Sequence, residues 1–167
     1  VHNGWDVVMT LSAFEHGMTK IFSIEQDYYD ILEYCRSETR NGEALLADPT
    51  VRRQLADIDA RVQAAKLSHY RNVSKRKNTG VPGPEGSMEL VIADEIRNDM
   101  TDFAMNVRGP DTSLWEDSSD NGQCVEDYLE SYGLWIAAGT GDIQRNIIGE
   151  RVLGLPKDDK SRTSHRD

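Results

Sequence analysis

LLADPTVRRQLADIDARVQAAKLSHYR, residues 45–71, decides what kind of protein this is. Asp48 has the short carboxylate that satisfies free N–H groups at a helix start, and Pro49 suits the first helical position, where no N–H is needed. Val51, Leu55, Ile58, Val62, Ala65 and His69 then recur at spacings of three and four, a single helical stripe that Val73 extends. Arg52, Arg53, Asp57, Asp59, Arg61 and Lys66 fall on the opposite face. The stripe closes at KRKNTG, residues 75–80, where a basic last turn complements the helix dipole.

The flanking sequence repeats this pattern. Upstream, Leu11, Phe14, Met18, Ile21 and Phe22, then Tyr28, Ile31, Leu32 and Cys35, predict one helix from about Trp5 to Arg36, with Gly17 inside it. TRNGEALLADP breaks that helix at Asn41 and Gly42. Downstream, Met88, Val91, Ile92, Ile96, Met100, Phe103, Ala104 and Val107 predict a third helix over about 85–107, stopped by Gly109 and Pro110. DTSLWEDSSDNG reads as a polar loop, and CVEDYLESYGLWI as a short helix or an irregular segment. A last helix over about 141–153 takes Thr140 as its cap, Ile143, Ile147, Ile148 and Val152 as its inner face, and Gly154 and Pro156 as its stop. Nothing alternates with period two over four residues or more. The expectation is an all-α, up-and-down four-helix bundle over residues 1–156, followed by a charged, disordered tail over 157–167.

Composition narrows the function. With hydrophobic residues at 38% and charged residues at 29%, the 167-residue chain can build one globular core. A formal net charge of -10 argues against nucleic acid and against anionic membrane surfaces, which both call for a basic face. No apolar run approaches the roughly 20 residues that cross a bilayer. Cys35 and Cys124 are lone thiols in different segments, the pattern of a reducing, cytoplasmic compartment, and the four histidines are too scattered to suggest a metal centre. The chain opens on Val1, in VHNGW, which reads as the middle of a longer polypeptide.

Two places could carry chemistry. Glu15 shares a helix face with Leu11, Met18 and Phe22, so desolvation would raise its pKa and suit it as a general base. The alternative is a glutamate at the edge of the stripe with its carboxylate in water. GTGD, residues 139–142, puts small residues at a positive helix start that can meet an anion or a polar heterocycle. The alternative there is an ordinary cap, with glycines for tight packing. Ser12 and the two cysteines have no His and acid partner at a diagnostic spacing.

GTGDIQRNIIGERVLGLPK, residues 139–157, strongly resembles the C-terminal signature of the acyl-CoA dehydrogenase family. NGWDVVMTLSAFEHG is similar to that family's entry into its helical domain, residues 45–71 to its second long helix, and GPEGSMELVIADEIRND to its third. The resemblance runs over 1–156 in order, and its nearest branch is the one used in actinobacterial fatty-acid and steroid side-chain degradation. It implies a flavoenzyme: FAD accepts the substrate's β-hydrogen as hydride, a glutamate removes the α-proton, and an electron-transfer flavoprotein takes the electrons. It also implies a tetramer, and a fragment inactive without its β-domain. Many members place the base directly before the Gly-Thr pair, where this chain has Ala138. Others place it in an E-R pair on the first helix, which corresponds to Glu15, followed here by His16. Gly139, Thr140 and Asp142 match FAD-contacting positions. The usual R-x-x-F-G element, which reaches FAD of the adjacent subunit, is replaced by CRSETRNG, leaving Arg36 or Arg40 to substitute. Some relatives in this branch form hetero-oligomers with one degraded site, so a silent partner subunit is the rival expectation. A generic helical interaction module is a third.

Overall fold

The computed structural model describes residues 3–15, 20–80, 83–115, 120–137 and 139–157, without the side chains at 9, 12–15 and 20. Six α-helices appear among them: α1 (Gly4–Glu15), α2 (Lys20–Ser37), α3 (Pro49–Thr79), α4 (Gly86–Arg108), α5 (Gln123–Ala137) and α6 (Gly141–Ile147). The chain is all-α, as its periodicity predicts. The first expected helix is represented by α1 and α2; residues 16–19, with His16, Gly17 and Met18, lie outside the described residues, as do 158–167 of the expected tail.

Local chemistry sets the boundaries. Asp48 accepts a hydrogen bond from the Thr50 N–H at 2.7 Å, Pro49 opens α3, and Gly80 ends it at φ 77°, where a side chain would be strained. Asp48→Ala is expected to cost about 1 kcal/mol, read as a lower urea midpoint at unchanged slope. The TRNGEA break is a two-residue antiparallel hairpin pairing Thr39 with Ala44 and Arg40 with Glu43, strands β1 (Thr39–Arg40) and β2 (Glu43–Ala44). Asn41 and Gly42 both sit at positive φ, the combination an Asn-Gly hairpin turn requires.

α4 is the central element, packing on α2, α3, α5 and α6. Ile24, Tyr28, Ile31 and Cys35 of α2 meet Val51, Leu55, Ile58, Val62 and Ala65 of α3 and Ala93, Ile96, Met100, Phe103, Ala104 and Val107 of α4 in one core. Ile24, Val62 and Ile96 have no exposed surface.

Of the two readings of CVEDYLESYGLWI the helix holds, as the regular 15-residue α5. Three expectations are corrected. Met88 is exposed and Val91 only half-buried, because the inner line of α4 begins Ser87, Leu90, Ala93. Ile143 is exposed and Gln144 buried: α6 turns a polar residue inward, then passes into a π-helical turn, Ile148–Val152, whose Ile148 and Val152 are half-buried. Val73 and Phe22 are exposed, although Phe22 stacks edge-on against His69 with ring centroids 5.5 Å apart.

Candidate functional site

The capped turn forms as the sequence predicts. Gly139 lies at φ 93°, and its N–H reaches the Ile136 carbonyl, folding the chain back after α5. Thr140 accepts from the Ile143 N–H at 3.5 Å, a long capping bond. The first-turn N–H groups of α6 thus lie beside an exposed threonine hydroxyl and an exposed Asp142 carboxylate.

The two glycines serve packing within the chain. A Cβ at Gly139 would stand 3.0 Å from the Gln144 amide nitrogen, and one at Gly141 3.1 Å from the Trp135 indole nitrogen and 3.0 Å from Arg145. Arg145 reaches across to Glu95 of α4 at 2.8 Å, tying the turn to the central helix. Gly139→Ala combines a crowded Cβ with a left-handed backbone, so a loss of roughly 1–3 kcal/mol is expected in thermal unfolding.

Glu15 is the last residue of α1, and its side chain lies outside the described atoms, as does Ala138. Of the stripe expected to desolvate Glu15, Leu11 and Phe22 are exposed, while Phe14 and Met18 lie outside the described side chains. Arg40 is committed to structure, its guanidinium donating to the Asn106 and Val107 carbonyls at the end of α4. Arg36 is exposed and pairs with the neighbouring Glu33 at 3.5 Å, so its head group remains at the surface.

One polar cluster was not anticipated. His69 Nδ1 lies 2.9 Å from Glu89 Oε2, and Asn72 donates to Glu89 Oε1, joining α3 to α4. Both members of the pair are nearly buried, beside a cavity of about 20 Å³ lined by Ile21, Ala65, Ser68 and Ile92. The volume suits a single water. His69 sits on an apolar stripe in the sequence, and only its proximity to Glu89 marks it as one half of a pair. Both cysteines are free and buried, and burial pushes both thiols above their ordinary range. Among the described residues no group of His, Cys, Asp and Glu is placed to hold a metal, and no helix is long and apolar enough to cross a membrane.

Residues 2–153 match the family described as acyl-CoA dehydrogenase, C-terminal domain. A protein of Mycolicibacterium smegmatis named acyl-CoA dehydrogenase IpdE1 is 29% identical over 161 residues, which are 95% of this chain and 38% of that protein. Its namesake in Mycobacterium tuberculosis is also 29% identical, over 95% of this chain and 40% of that protein. The chain therefore spans well under half the length of these relatives. Among solved structures, a variant of the Tcur3481-Tcur3483 steroid acyl-CoA dehydrogenase superposes with a TM-score of 0.79 at 20% identity, over 95% of this chain and 42% of that one. That likeness is one of fold.

Proposed function

Because the chain belongs to the acyl-CoA dehydrogenase family, as its C-terminal helical domain, we propose that it forms one wall of a flavin and acyl-CoA thioester site. The observation that carries this reading is the family match over 2–153 together with the capped turn at Gly139–Asp142, which presents the Thr140 hydroxyl and the Asp142 carboxylate to solvent. FAD, when bound, supplies the hydride acceptor for α,β-dehydrogenation.

The residues at the turn suit one part of that cofactor. Thr140 offers a hydroxyl and the first turn of α6 offers N–H donors. Asp142 accepts hydroxyl or ring N–H groups and repels phosphate, so the turn fits a hydroxyl-bearing or heterocyclic portion of the nucleotide better than its pyrophosphate. Glu15 takes the α-proton, because Ala138 cannot, and an electron-transfer flavoprotein receives the electrons. Arg36, with its head group at the surface, is better placed than Arg40 to reach a neighbouring subunit's cofactor in a tetramer.

The test is made on the full polypeptide that contains this chain. Stoichiometric bound FAD that bleaches when an acyl-CoA is added is the expected result. Absence of flavin from the folded protein overturns the reading. A second reading, a silent subunit kept for assembly, is favoured by one observation: Arg40 is occupied by the end of α4, and no Phe-Gly element follows α2. Flavin without bleaching across a panel of CoA thioesters supports that second reading and excludes the first.

A further inference from the structure

Arg145 joins the Gly139–Asp142 turn to the middle of α4. Its Nη2 donates to Glu95 Oε1 at 2.8 Å, and its Nη1 lies 3.7 Å from Asp142 Oδ1 on the turn itself. The same Nη1 stands 3.0 Å from the place a Cβ at Gly141 would take, and the Trp135 indole nitrogen 3.1 Å from it. Glycine there lets the guanidinium lie close over the backbone of the turn. A guanidinium is a planar, rigid fork, so fixing one amine on Glu95 fixes where the other points. Glu95 shares a groove with Arg61 and Trp135, in which Arg61 pairs with Asp57 and Asp99 while Glu95 pairs with Arg145.

This chain of contacts does little for the fold. Glu95 and Arg145 are both about half exposed, and a pair of that kind adds little to stability. Asp142 is 95% exposed, so water screens its attraction to Arg145 as well. The arrangement gains weight when something covers the turn, because a contact between charges strengthens as its surroundings dry. A cofactor seated on Thr140 and Asp142 covers it.

We propose that Glu95 and Arg145 are positioning residues for the flavin nucleotide: Glu95 holds the guanidinium, and the guanidinium holds the Asp142 carboxylate in the orientation that receives the cofactor. The inference rests on the reading of this turn as part of the flavin site. Asp142 meets the cofactor, and Glu95, on another helix, acts on it only through Arg145. A carboxylate bound on one side by a guanidinium keeps its remaining lone pairs for hydroxyl or ring N–H donors. The positive charge beside it also lessens its repulsion of the nucleotide's phosphates.

A double-mutant cycle on FAD affinity tests this. The full polypeptide is freed of flavin, its fold is checked by circular dichroism, and it is titrated with FAD by flavin fluorescence. Glu95→Gln and Asp142→Asn are each expected to weaken binding about tenfold, and the double variant no more than Asp142→Asn alone, since residues acting in one network are not additive. Arg145→Lys, which keeps the charge and loses the fork, should match Glu95→Gln, and it takes that variant's place in the cycle should Glu95→Gln not fold. Exchanging the charges, Glu95→Arg with Arg145→Glu, rebuilds the tie to α4 but turns a carboxylate toward Asp142, so binding should stay weak. Native affinity in the exchanged protein makes the pair a structural tie and overturns the proposal. Losses that multiply in the double variant, or native affinity in Glu95→Gln, overturn it alone and leave the flavin site standing. A native polypeptide that binds no FAD overturns it together with the reading beneath it.

Discussion

Glu15→Gln in the full polypeptide is expected to keep its bound flavin and lose acyl-CoA dehydrogenation by about 10²–10⁴-fold in kcat, the span that a positioned base contributes. Glutamine matches glutamate in size and can still accept a hydrogen bond, but it cannot take a proton. The α-proton of a thioester is weakly acidic, so its removal needs a carboxylate close by and shielded from water. The described part of the chain supplies the position, at the end of α1, a helix whose Trp5, Val7, Val8 and Leu11 are exposed. The change is expected to act on kcat with little effect on KM, as befits an interaction made chiefly in the transition state. Exchange of the substrate α-hydrogen with deuterated solvent gives an independent reading. The native enzyme should wash it out and the variant should not. Turnover close to native in Glu15→Gln, with exchange retained, removes Glu15 from the mechanism.

The fold was legible wherever apolar residues faced inward. α3 could be read to its ends because an Asp-Pro start, a single stripe and an αL glycine are local features that nearby contacts do not override. α5 and the end of α6 could not be read this way. Their fully buried positions are Cys124, Ser131, Gly141 and Gln144, the apolar Val125, Tyr128, Leu134 and Trp135 are only half-buried, and Leu129, Tyr132, Ile136 and Ile143 are exposed, so hydrophobic periodicity does not single out the inner face. The same limit separates the legible half of the candidate site from the rest. The cap at Thr140 is encoded within four residues and forms as expected. Arg40 looked available because nothing in CRSETRNG reveals that the end of α4, more than sixty positions later, would take its guanidinium. The pairing of His69 with Glu89 is hidden for the same reason, since the two lie on different helices and only the packing of α3 against α4 unites them.

Ile96 and Ile136 provide the sharpest test of that packing, since one side chain occurs in two settings the sequence does not distinguish. Ile96 has no exposed surface and lies in the core on the central helix, where Val62 and Met100 are also sealed. Ile96→Ala removes apolar contact and leaves a cavity that the surrounding helices cannot fully close, and a loss of about 2–5 kcal/mol is expected. At roughly 2–4 °C per kcal/mol for a chain of this size, thermal unfolding should fall by about 4–20 °C. Ile96→Val, which deletes a single methyl group, should cost only about 0.5–1.5 kcal/mol. Ile136→Ala lies in solvent and should stay within about 0.5 kcal/mol of the native chain. A large cost at 96, a graded one for valine, and almost none at 136 require Ile96 to face inward and Ile136 outward. An equal cost at both positions would mean that α5 buries Ile136 instead of exposing it to solvent.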